Sequence, residues 1–131
     1  MTKTILAVLA HPDDESFGIG GTLALYASKG CDTYLVCATR GEVGTVDEEH
    51  LNGFKDIAEL RTTELMRAAK HLGLKNVFFL GYRDSGMPGT EANTHPDAQI
   101  ESTVLDCVAD HERREPFDVC NLLHHANERR R

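Results

Sequence analysis

No apolar run in this chain approaches the length of a membrane-spanning helix, and the amino terminus shows no signal-peptide pattern before its first strand-like stretch. Cytoplasmic residence is the resulting expectation. Positive charge is also scarce, with 14 Lys and Arg against 21 Asp and Glu, a net charge of -7. Nucleic acid and anionic membranes both favour a basic surface, so neither is expected as a main partner, and a neutral or weakly charged small molecule fits better. The four cysteines, Cys31, Cys37, Cys107 and Cys120, form no Cys-x-x-Cys pair and lack zinc-finger spacing, and a cytosolic chain would keep them reduced. Cys37, in a strand-like stretch, and Cys107, on a helical stripe, read as small core residues rather than nucleophiles. The chain lacks internal repeats and low-complexity linkers as well.

What remains is 131 residues with 40% hydrophobic content, enough for one compact domain spanning residues 1–131. Strand and helix patterns alternate. Strands are expected at Thr4–Leu9, Asp32–Thr39, Asn76–Leu80 and Phe117–Leu123. Helices are expected from about Ser16 to Lys29, from about Phe54 to Leu72, and from Asp97 to about Arg113, with a long loop from Gly81 to Pro96. Such alternation predicts an α/β fold, a Rossmann-like three-layer α/β/α sandwich with a mostly parallel sheet and right-handed crossovers.

The densest chemistry follows the first strand, in Ala10-His11-Pro12-Asp13-Asp14-Glu15. Open parallel sheets bind ligands beyond the carboxyl ends of their strands, and an imidazole beside carboxylates at that edge suits a divalent cation. Nitrogen plus carboxylate ligation with an open position points to catalytic zinc, whereas an all-oxygen set would suggest magnesium or calcium. Asp13 and Asp14 are neighbours whose side chains must diverge, so one can bind metal while the other faces a bound water. The competing explanation is a helix amino terminus capped by carboxylates. The glycines at Gly18-Ile19-Gly20-Gly21 do not match a dinucleotide fingerprint, and three acidic groups would repel a pyrophosphate. They are expected instead to let a helix start pack closely on the sheet.

These residues, with Gly20-Gly21-Thr22-Leu23, Thr39-Arg40-Gly41-Glu42-Val43-Gly44, Glu59-Leu60-Arg61, Glu64-Leu65 and Gly81-Tyr82-Arg83-Asp84-Ser85-Gly86-Met87, occur in the order and spacing of a known signature. The chain resembles the LmbE-like, or PIG-L, family of zinc-dependent N-acetylglucosaminyl deacetylases from about Ile5 to about Pro96. The resemblance implies Zn2+ on His11 and Asp14, Asp13 as general base, and hydrolysis of an N-acetyl group from an amino-sugar conjugate. It further implies that Arg61 and Asp84 contact substrate. The family's later His-Pro-Asp-His-like motif, which supplies a third ligand and a histidine for the leaving group, is not found. His95-Pro96-Asp97 lacks the second histidine and lies before the third predicted helix.

Read without the resemblance, Arg61 interrupts the apolar stripe Phe54, Ile57, Leu65, Ala68 and Leu72. It either snorkels from the core edge or points into a cleft. Asp84 lies in a loop long enough to form a site wall, or sits in a solvated Arg83–Asp84 pair of little consequence. Arg40 and Glu42 share the same sheet edge as supporting candidates. His124 and His125 follow the fourth predicted strand, where at most one could reach a metal. His71 and His111 read as helix-end residues, and His50 has no ligand-like spacing. Two hypotheses follow: a working zinc deacetylase, with a homo-oligomer among the ways to complete it, or a shortened, catalytically silent metal-binding or interaction domain.

Overall fold

The computed structural model describes residues 3–96 and Ala98. Three strands, β1 (Thr4–Leu9), β2 (Asp32–Cys37) and β3 (Asn76–Phe79), form a parallel sheet in the order β1-β2-β3. Thr4 lies opposite Asp32 and Leu9 opposite Cys37, while Tyr34 pairs with Asn76 and Cys37 with Phe79. All three carboxyl ends therefore emerge at one edge. The backbone ladder runs slightly past the strands, because Ala38 N–H reaches Leu9 O, and Leu80 N–H reaches Cys37 O.

Central β2 is buried on both faces, as its apolar and β-branched run predicts. Leu35 and Cys37 pack with Ala7, Leu23 and Leu65 on one face, whereas Val36 and Ala38 join Leu80 on the other. Leu23 and Leu65 come from helices, so the first cluster is where helix and sheet meet. Each such leucine contributes about 1.5–3 kcal/mol by leaving water.

The helix expected from Ser16 is two helices, α1 (Asp14–Phe17) and α2 (Gly20–Ser28). Gly18 and Ile19 part them, and Gly20 sits where a Cβ would stand 3.1 Å from Glu15 O and 3.5 Å from Leu72. The close packing at Gly20 is thus against the residues flanking it in α1 and the long helix, not against the sheet as expected. The long helix, α3 (Ile57–Leu72), begins three residues later than its apolar pattern suggests, because Asp56 caps it by accepting the Glu59 N–H at 2.9 Å. It ends at Gly73, whose positive φ of 77° allows the Gly73 N–H to reach Lys70 O and the Leu74 N–H to reach Ala69 O. The buried stripe of α3 is Leu60, Leu65 and Ala69. Arg61 is therefore at the border of that stripe, not within it. The expected helix from Asp97 and strand at Phe117–Leu123 lie outside the described residues, within which no helix is long and apolar enough to cross a membrane.

Candidate active site

Each strand delivers one polar segment to the shared edge: Ala10–Asp14 after β1, Thr39–Glu42 after β2, and Gly81–Asp84 after β3. Buried Thr39 ties the first two together, since its hydroxyl donates to Ala10 O at 3.0 Å and accepts the Gly41 N–H at 3.2 Å. Glu42 ties in the third by accepting the Asp84 N–H at 3.0 Å on Oε1. The other Glu42 oxygen is buried and has no hydrogen-bond partner among the described residues.

His11 stands between two carboxylates at this junction. Its Nδ1 is 3.8 Å from Asp14 Oδ2, and its Nε2 is 3.5 Å from Asp84 Oδ1. Asp14 Oδ2 also accepts the His11 backbone N–H at 2.9 Å, which fixes the turn. Asp84 is buried, with its Oδ1 further held by the Gly86 N–H at 2.9 Å. The pairing of Asp84 is thus with His11 across the sheet edge, and the solvated Arg83–Asp84 alternative does not describe it. Of the two supporting candidates, Glu42 acts on Asp84, whereas exposed Arg40 lies over the Phe79 ring at 4.1 Å and donates to Thr62 at 3.1 Å.

The helix of the capping explanation is present, with Asp13 at the N-cap of α1 and Asp14 and Glu15 in its first turn, but the Asp13 carboxylate does not serve as its cap. The Asp13 backbone has φ 117° and ψ -30°, which makes Asp13 the one non-glycine with positive φ among the described residues. Holding a side-chain-bearing residue in so sparsely populated a region costs on the order of 1–3 kcal/mol. Its half-exposed carboxylate pairs with Arg61 Nη2 at 3.0 Å.

Arg61 does not snorkel from the core edge to solvent. The side chain is 17% exposed and turns inward, donating to Pro12 O at 2.6 Å, Gly41 O at 3.1 Å and Asp13. The space it needs is written into the chain, because a Cβ at Gly41 would overlap the guanidinium, and one at Gly44 would lie 2.9 Å from it. A residue of the site that the sequence left without a role is Glu15. It is 1% exposed, accepts the Asp13 N–H on Oε2 at 2.9 Å, and accepts the Ser16 hydroxyl on Oε1 at 2.5 Å. Its place in an acidic run at a strand end was the available signal, but nothing local marked it as buried.

Cys37 lies beneath this edge, fully buried, its Sγ 3.2 Å from Thr39 O. Burial chiefly, with the negative charges of Asp14 and Glu15 adding to it, pushes its thiol from 9.0 up to about 12. The core assignment holds for Cys37, while Cys107 lies outside the described residues. Folding disfavours the thiolate, so this contribution to stability is intact below the unfolded thiol's pKa and is lost as pH rises from about 9 toward 12. Alkylation at pH 8 with peptide mapping should modify half-buried Cys31 in the native chain and reach Cys37 only after unfolding. Native-state modification of Cys37 would show that its burial is misjudged.

Among the described residues, no group of three or more His, Cys, Asp or Glu side chains is placed to hold a metal ion. The donors present are one imidazole and the carboxylate of Asp14 beside it, with Asp84 on the ring's other nitrogen. That donor chemistry suits zinc, and a carboxylate behind a ligating imidazole is how such rings are commonly oriented. His124 and His125 lie outside the described residues. His71 is exposed in the last turn of α3, and His50 is exposed in the short 3₁₀ turn Glu48–Leu51.

The sequence profile of the PIG-L family, described as GlcNAc-PI de-N-acetylase, matches residues 6–126. The chain is 44% identical over 108 residues to 1D-myo-inositol 2-acetamido-2-deoxy-alpha-D-glucopyranoside deacetylase 3 of Catenulispora acidiphila, covering 73% of this chain and 30% of that protein. It is 45% identical over 114 residues to the corresponding deacetylase of Streptomyces scabiei, covering 80% of this chain and 35% of the relative. Thus it spans about a third of the length of the curated relatives it matches. Among solved structures it is similar to N,N'-diacetylchitobiose deacetylase from Pyrococcus horikoshii, with TM-score 0.56, 34% identity, and coverage of 67% of this chain and 32% of that one. It is also similar to GalB, the 4-carboxy-2-hydroxymuconate hydratase of Pseudomonas putida, with TM-score 0.55, 30% identity, and coverage of 86% and 43%.

Proposed function

This chain belongs to the PIG-L family, and on that premise we propose that it carries the His11-Asp13-Asp14 portion of a zinc-dependent N-deacetylase site acting on a GlcNAc-type amino-sugar conjugate. The observation that supports this reading most is the placement of His11 between Asp14 and Asp84, with Asp13 turned away from the helix it could cap. His11 and Asp14 would hold the metal, and zinc bound there supplies Lewis-acid polarisation of the acetamide carbonyl and a lowered pKa for water.

The rest is done by side chains of this chain. Asp13 accepts a proton from the attacking water on its half-exposed carboxylate. Asp84, buried and held by Gly86 and Glu42, orients the His11 ring from behind and presents its second oxygen to a sugar hydroxyl. Arg61 supports the rim through Pro12 and Gly41, and N–H donors beyond those contacts would meet the sugar. The net charge of -7 is compatible with an uncharged sugar conjugate.

Deacetylation is not implied by the architecture alone, since one structural neighbour is named a hydratase. The test supplies the chain with zinc and either N-acetylglucosaminyl inositol or N,N'-diacetylchitobiose, then measures released acetate and the metal retained after dialysis. Acetate release with retained zinc is expected. Retained zinc without acetate release would overturn the reading and leave the silent metal-binding domain, and absence of both would leave the interaction domain.

A further inference from the structure

We propose that Glu15 and Arg61 are positioning residues that clamp the Pro12–Asp13 peptide plane from its two sides, and so force the backbone turn that presents the Asp13 carboxylate at the rim. This deepens the deacetylase reading and rests on it for the role of Asp13. The argument begins with what φ of Asp13 measures, namely the orientation of the peptide that precedes it. That peptide has two hydrogen-bonding groups pointing in opposite directions, the Pro12 carbonyl and the Asp13 N–H. Arg61 Nη2 donates to the carbonyl at 2.6 Å, and Glu15 Oε2 accepts from the N–H at 2.9 Å. The same guanidinium nitrogen holds the Asp13 carboxylate at 3.0 Å. On the far side, Asp13 O is fixed by the Ser16 and Phe17 N–H groups at 2.9 and 3.0 Å. Every polar group that sets the conformation of Asp13 is thus occupied while φ stays at 117°.

Neither clamp residue is free to choose another arrangement. Glu15 is 1% exposed, with its second oxygen on Ser16, and Arg61 is anchored by Gly41 O, in space that the glycines at 41 and 44 leave open. Without them, a residue at this N-cap position would relax to negative φ and turn its carboxylate onto the free N–H groups of α1. A base used that way is no longer aimed at a substrate.

The experiment uses the Ala-to-Gly difference at position 13 as a reporter of the backbone, since Asp13→Ala and Asp13→Gly both remove the carboxylate and differ only in Cβ. At φ 117° glycine is the less strained, so the glycine variant should melt about 5 °C or more above the alanine variant. In a background carrying Arg61→Lys, or Glu15→Leu where it folds, the plane is released and the order should reverse, with alanine melting higher by a few degrees. Glu15→Gln keeps an acceptor for the Asp13 N–H and should restore the original order. A glycine-over-alanine order that persists in every background, or that is missing in the unmutated one, overturns the clamp. For catalysis, Arg61→Lys with Asp13 intact should lower kcat about 100-fold, on top of any rise in KM from its sugar contact, since small misplacements cost that much. A rise in KM with kcat unchanged would instead mean that Arg61 acts on substrate alone and would overturn its positioning role. The melting order is read without substrate or zinc, so a failure of the deacetylase reading is separable from a failure of the clamp.

Discussion

Replacing Asp13 by asparagine is expected to lower turnover by about two to four orders of magnitude while leaving zinc content unchanged, the usual effect of removing a general base. The structure makes this substitution unusually clean. An asparagine amide oxygen can still accept from Arg61 Nη2, which now lies 3.0 Å from the carboxylate. The bonds that orient the backbone run from Arg61 to Pro12 O and from the Asp13 N–H to Glu15, and neither uses the Asp13 side chain. What the variant loses is basicity. Stability should change by less than about 1 kcal/mol, because the ion pair removed involves a half-exposed carboxylate. Steady-state rates, metal analysis and a melting curve on one preparation check all three statements. Loss of zinc in this variant would show that Asp13 and Asp14 have each other's role.

The parts of this architecture that were legible from residues alone are those with a local cause. β1 has the bounds Thr4–Leu9 expected of it because a continuous apolar run next to His11 admits little else. The shared edge followed from strand and helix alternation, which makes the sheet parallel and sends every strand end the same way. Other features depend on partners distant in sequence. Arg61 meets Pro12 and Asp13 across 49 and 48 positions, so its periodicity could show that it broke a stripe but not what it held. Asp84 lies in the loop just past β3, as its sequence position implies, yet its opposition to His11 depends on the register of three strands. The break between α1 and α2 was hidden because Gly18 keeps right-handed helical dihedrals and the chain leaves the helical path only at Ile19, with φ -130° and ψ 9°, a residue whose type carries no break signal. Asp13 itself has no sequence signal for positive φ, since its conformation is imposed by Glu15 and Arg61.

His11→Ala and Asp14→Asn are each expected to weaken zinc binding more than about 100-fold, a larger loss than the tenfold to hundredfold typical of residues behind the ligands. The size follows from how few donors this edge provides: one imidazole and one adjacent carboxylate, 3.8 Å apart, with no third ligand-type side chain grouped with them among the described residues. Losing either would leave a single side-chain donor. The fold should survive, because both side chains are about 40% exposed and sit past the end of β1, outside either core cluster. Asparagine at position 14 can also keep the bond from the His11 backbone N–H, so the turn is retained while the anionic ligand is lost. Asp84→Asn provides the internal comparison. Its carboxylate faces the opposite nitrogen of the ring at 3.5 Å, so its removal should loosen the metal by only about ten- to a hundredfold. Dialysis against buffered free zinc, followed by metal analysis and a melting curve for each apo variant, separates ligand loss from unfolding. Native zinc affinity in either His11→Ala or Asp14→Asn would remove that residue from the ligand set, and a greater loss for Asp84→Asn than for Asp14→Asn would make Asp84 the ligand.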